Sequence, residues 1–178
     1  MMQAKKEAPR AVPTGAGLVA VFESAASAED AVARLERSGF DLSRLSLIGK
    51  EEPSAAHPVG IAVAGAHARI WGPRSKLWNA LADSPAAMAL AWVPFIGYVA
   101  AVGPVAFGLM GADWQMRAHP PASALARMLT IAGLSPAELA TYEAAVRGGQ
   151  ILLLMHGTAA HAARARHVLA NALSIHGR

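Results

Sequence analysis

The sequence predicts an α+β fold of ferredoxin-like type: a β-α-β-β-α-β sandwich interrupted by an apolar helical hairpin, with an extra helix at the C-terminus. Three observations predict it. A strand, a capped helix and a second strand follow one another between Gly17 and Lys50. Two helix signals, a continuous apolar strand and a last helix follow after Pro120. Between the two sets lies a long stretch without charge. At 178 residues the chain holds one core plus an insertion rather than two independent domains. The expected division is a flexible tail over 1–16, a split α+β domain over 17–66 and 115–178, and the hairpin over 67–114.

Leu18 to Phe22 is an apolar run rich in β-formers and reads as the first strand. Ser27, followed by Glu29 and Asp30, is the expected start of a helix whose Ala28, Val32 and Leu35 share one face, with Gly39 as the left-handed stop. Arg44 to Lys50 is the second strand, with Leu45 and Leu47 on one face, and Val59 to Val63 a short third one. Pro120 and Pro121 open a helix in which Leu125, Met128, Leu129 and Ala132 recur at helical spacing up to Gly133. Ser135, Pro136 and Glu138 occupy N-cap, N1 and N3 of the next, whose buried stripe is Leu139, Tyr142 and Val146. Gly148 and Gly149 end it. Ile151 to Met155 is apolar without alternation, as a strand covered on both faces requires. The final helix runs from Thr158 towards Ile175, with Val168, Leu169 and Leu173 inward. Helices on one side of a four-stranded sheet would leave the other side bare, so a homo-oligomer formed through the sheet is expected.

Hydrophobic residues make up 54% of the chain and charged ones 16%, and there is no cysteine. The first figure asks where the surplus apolar surface goes. The last excludes disulfides, thiolate metal sites and a cysteine nucleophile. From Ser84 to Ala112 there is no Asp, Glu, Lys, Arg or His, a run longer than the ~20 residues that cross a bilayer. Pro85, Pro94 and Pro104 interrupt it and VPFIG around Pro94 reads as a turn, so two helical arms fit better than one span. Trp71, Trp78, Trp92 and Trp114 all fall in or beside this segment, and indoles concentrate at lipid–water boundaries. Arg69, Arg74 and Lys76 precede it. These seven residues are the expected membrane-interface set, with a shallow or re-entrant hairpin that keeps Asp83 wet.

Four stretches resemble a family of small bacterial general stress or heat-induced stress proteins of unknown function, some labelled permease-like. They are VAVFESAASAEDAVARLERSGFDLSRLSLIGK from Val19, ARIWGPRSKLW from Ala68, VPFIGYVAAVGPVAFGL from Val93 and LSPAELATYEAAVRGGQILLLMHGTAAHAARARHVL from Leu134. The resemblance implies an α+β domain carrying a glycine-rich membrane-associated hairpin; it implies no reaction and no ligand.

Chemistry-bearing motifs are few. His161 and His167 are six apart and do not align on one helical turn, and neither H-E-x-x-H, G-x-S-x-G nor a P-loop occurs, so no catalytic residue, metal or cofactor is assigned. His156, ending a buried strand before Gly157, is the one candidate for anion binding or pH sensing. A net charge of +4 with scattered basic residues gives no nucleic-acid footprint, and no small-molecule substrate is indicated. The expected function is a non-enzymatic, membrane-associated structural or stress-related role on the cytoplasmic side of the inner membrane, peripheral or re-entrant, with the lipid bilayer as partner. The competing expectation is a soluble oligomeric ligand- or ion-sensing module in which the hairpin joins subunits.

Overall fold

The computed structural model describes residues 16–64, 67–81, 87–106 and 123–173. The elements are β1 (Ala16–Phe22), α1 (Ala25–Arg37), β2 (Leu45–Glu51), β3 (Gly60–Ala64), β4 (His67–Trp71), α2 (Ser75–Asn79), β5 (Met88–Val93), β6 (Gly97–Val102), α3 (Ala124–Ile131), α4 (Pro136–Arg147), β7 (Ile151–His156) and α5 (Ala159–Leu173). The main sheet has five strands in the order β1-β7-β2-β6-β5, every neighbouring pair antiparallel. β1 and β2 are therefore parallel to each other with β7 threaded between them, a split β-α-β unit closed by the last strand of the chain. β3 and β4 form a separate two-stranded ribbon.

β7 explains the layering. Ile151, Leu153 and Met155 enter one core with α1, α2, α5 and Ile70 of the ribbon; Leu152 and Leu154 enter a second with α3, α4 and the 3-10 turn at Pro104–Ala106. Side chains alternate across a strand, so a run of residues all apolar needs a cover on each face. Each fully buried aliphatic contributes roughly 1.5–3 kcal/mol, which makes ILLLM the most stabilising short segment of the sheet. The capping box at α4 forms as expected, with the Ser135 amide donating to Glu138 Oε2 at 2.9 Å and Pro136 in the first turn. The Ser123 hydroxyl caps α3 through the Ala126 amide and also donates to Glu143, tying α3 to α4.

The α+β class is as expected, but several finer expectations are corrected. Among the described residues, the apolar segments on either side of Pro94, Met88–Val93 and Gly97–Val102, form a β-hairpin, not helices: β5 pairs with β6, and β6 pairs with β2 in the main sheet. Both arms alternate at period two, Met88 and Leu90 on one face and Ala89 and Val93 on the other, and a free sheet edge at β2 supplies the partner that a helix would forgo. Five strands with helices on both faces replace the four-stranded sheet with one bare face. The bare face was the reason for a second copy, and α3 and α4 of the same chain cover it. The strand expected over 59–63 lies in the ribbon and not in the main sheet. α1 is capped one turn earlier than expected, by Ser24, whose hydroxyl accepts from the Ser27 amide, so Glu29 and Asp30 lie beyond the first turn. Residues 1–15 of the expected tail and the Pro120–Pro121 helix start fall outside the described residues, as does Leu173's side chain, while Ala16, expected in the tail, already belongs to β1.

Gly103 lets the hairpin leave the sheet. Its φ is +96°, and a Cβ there would lie 2.1 Å from the Leu45 carbonyl oxygen; Gly149, at φ +86°, has open space around it. Gly149→Ala should cost about 1 kcal/mol for the left-handed backbone alone, and Gly103→Ala about 3 kcal/mol or more because backbone must also move. Urea denaturation of both variants measures the difference.

Candidate functional site

Two features of the described residues stand apart from ordinary packing, and both sit at the same end of the hairpin. The first is the turn. The Ile96 amide donates to the Val93 carbonyl at 3.1 Å, Pro94 takes the second position, and Phe95 takes the third with φ +65°. Glycine or asparagine usually fills such a position, and a bulky side chain there is strained. Phe95 is 94% exposed, Trp92 61%, and Tyr98, Trp92's cross-strand partner, is also exposed. Three aromatic rings thus stand in water at one protruding turn.

The second feature lies one strand inward. Trp92, Tyr98 and Glu51 are successive register partners across β5, β6 and β2. Glu51 is only 2% exposed. Its Oε1 accepts the Trp78 indole N–H at 2.5 Å, and its Oε2 has no hydrogen-bond partner among the described residues. Trp78 reaches it because Gly49, two residues back on the same face of β2, has no side chain: a Cβ there would lie 2.9 Å from the indole ring. Burial pushes the Glu51 carboxyl above its ordinary pKa; the indole hydrogen bond and the Arg74 charge act in the opposite direction and do not cancel it. Arg74 itself donates from Nη1 to the Lys50 carbonyl at 2.8 Å.

The expected interface residues are divided by the fold. Trp92 is at the exposed end, and Trp71 is half exposed with its ring across Gly60. Trp78 is corrected: it is fully buried and belongs to the core. Trp114 lies outside the described residues. Arg69 is exposed on β4; Arg74 is engaged by β2; Lys76 reaches Glu29 at 2.7 Å. His156 is buried, and its Nε2 lies 2.8 Å from the Ser46 hydroxyl, which also accepts from the Val105 amide at 3.1 Å. That linkage ties β7, β2 and the Pro104 turn together across the second core. On α5, Arg164 donates to the Ser38 carbonyl and lies 4.7 Å from the Phe40 ring centre.

A groove of about 630 Å³ between α1 and α2 is lined by Glu29, Asp30, Glu36 and Asn79 among others. Glu29 and Asp30 are already in ion pairs with Lys76 and Arg34. No group of three or more His, Asp or Glu residues is placed to hold a metal ion among the described residues, and no helix there is long and apolar enough to cross a membrane. Comparison with family models, with curated proteins and with solved structures finds no match.

Glu51, Phe95 and Tyr98 did not stand out as functional residues in the sequence. The signal for Phe95 is a large residue in the third position of a proline turn. The signal for Glu51 is its parity with Leu45 and Leu47, which places it on the inward face.

Because its folded pKa is raised, Glu51 contributes stability that is fully present in acid, below its unfolded value, and is lost as pH rises through the folded value. Glu51→Gln should therefore have little effect in acid and stabilise the protein, on the order of 1 kcal/mol, once pH passes the folded value. Thermal unfolding against pH checks both halves.

Proposed function

We propose that this protein is a non-enzymatic, membrane-surface-binding module, held on the cytoplasmic face of the inner membrane by the exposed end of the β5–β6 hairpin. The observation that carries the reading is the aromatic turn: Phe95 in a left-handed conformation, almost wholly in water, with Trp92 and Tyr98 beside it. Strained, solvent-facing aromatics cost the folded state and are retained where something else covers them. Lipid is favoured as the cover by composition. Trp, Tyr and Phe are the side chains suited to the headgroup boundary, and no charged or histidine residue occurs from Ser84 to Ala112 to oppose burial. The +4 net charge of the chain favours approach to anionic lipid.

Attachment on this reading is shallow. Among the described residues, the rest of β5 and β6 is committed to the sheet, with Val99, Ala100, Ala101 and Val102 fully buried, so of these two strands the turn end is what enters the interface. Of the two modes expected from the sequence, peripheral or re-entrant, this reading takes the peripheral one and keeps the lipid partner. The stress-protein resemblance fits such a role without adding an activity.

Trp92→Ser combined with Phe95→Gly should lower binding to phosphatidylcholine–phosphatidylglycerol vesicles by about tenfold or more, given roughly 1.5–3 kcal/mol for each large apolar side chain buried. Stability should change by less than about 1 kcal/mol, because glycine accepts the turn's backbone. Vesicle co-sedimentation and thermal unfolding give the two readouts. Wild-type protein that stays in the supernatant at every lipid concentration would end the reading.

A further inference from the structure

We propose that the docking end of the hairpin senses protons through Glu51: neutralising this carboxylate strengthens attachment of the Trp92–Phe95–Tyr98 end to a bilayer, and attachment holds the proton in place. The inference rests on the membrane-docking reading and concerns how that site is regulated. Geometry carries it. Glu51 continues the cross-strand row that begins at the exposed Trp92 and passes through Tyr98, so the carboxylate lies two strands in from the ring that would enter lipid. Its Oε2 is buried without a hydrogen-bond partner among the described residues. An ionised oxygen in that position depends on whatever polarisation reaches it from nearby water.

Docking displaces that water. When Trp92 and Tyr98 leave solvent, the surroundings of Glu51 become less polar and its charged form becomes more costly, whereas the neutral acid is little affected. Linkage makes the effect reciprocal: whatever binding does to protonation, protonation does to binding.

The charged groups around Glu51 do not neutralise it. On its own strand, Lys50 points to the other face and pairs with Glu52 at 2.9 Å. Glu52, next in the chain, opposes the charge. At the start of α2, Arg74 attracts it from a position fixed by the Lys50 carbonyl, while Lys76 is held by Glu29 on α1. From β6 the facing group is the Tyr98 phenol, and β5 carries no titratable side chain. Burial remains the dominant influence, and it pushes the carboxyl towards its neutral form.

The test measures binding of the full chain to phosphatidylcholine vesicles at high salt, which suppresses general attraction as the seven histidines titrate. Wild type should bind about threefold or more tightly near pH 5 than near pH 7.5. Glu51→Gln should bind near pH 7.5 as wild type does in acid, with little pH dependence of its own. Equal pH dependence in the two proteins overturns the inference, as does tight wild-type binding that ignores pH, and both outcomes leave the docking reading standing. Wild type that binds phosphatidylglycerol-containing vesicles but not these at either pH overturns the inference alone; wild type that binds neither sinks both. A second measurement needs no variant: the Glu51 carboxyl, followed by carbon NMR in the wild type, should titrate at a higher pH when phosphatidylcholine micelles are present. A midpoint that does not move under conditions of binding overturns the proposal.

Discussion

The close contact between the Trp78 indole and Gly49, which has no side chain, decides how one end of this molecule is built. An indole packed this close to a strand needs a place where no side chain rises, and Gly49 leaves that place on the inward face of β2. Once the ring is there, its N–H points along the strand to Glu51, two residues on, and the carboxylate is drawn into the core by one oxygen. The short helix α2 is thereby fixed against the sheet, and the β3–β4 ribbon with it, since Asn79 of α2 bonds both the amide and the carbonyl of Ile70. The second carboxylate oxygen follows the first into the core and has no described partner there. A packing solution for a large aromatic has produced a buried, proton-accepting group.

The same end shows how the apolar surplus of the chain is divided. An uncharged run can leave water into lipid, into a partner or into its own core. Here the core takes most of it, because β6 finds an open edge at β2 and the hydrogen bonds of a sheet satisfy the backbone. Small residues, Ala100 and Ala101, let helices and the ribbon approach on the two faces. Among the described residues of the run, what is left over is concentrated at the turn, where the chain reverses and neither core reaches. The exposed aromatics are the remainder after a large burial, which is why the surface they offer is narrow.

Much of the fold was legible in the sequence because its signals are local. The capping box at Ser135, the unbroken apolar run ILLLM and the strand, helix and strand between Gly17 and Lys50 all depend on neighbours a few residues apart, and each predicted its element. The hairpin was misread because length and apolarity are shared by buried strands and membrane helices, and only the partner decides between them. That partner, β2, lies far away in the sequence. The site was less legible for a related reason. Trp78 and Trp92 are equivalent as letters, yet one rests on Gly49 and the other stands in solvent. Glu51 begins a polar stretch, EEPS, that reads as a loop, and only pairing with Tyr98 makes it the last residue of a strand.

Phe95 shows how strain and exposure become useful together. A glycine in that position would relax the backbone and give the same turn, so the requirement for a hairpin does not account for phenylalanine. Nor does the core, since the ring touches little of it. The hydrogen-bonded turn instead places Phe95 at the reversal, between the strands that carry Trp92 and Tyr98. A side chain on a backbone fixed in this way loses less conformational freedom on being covered than one on a mobile loop. The folded state therefore carries the cost of presenting the aromatics in advance, and the gain appears only when water around them is removed.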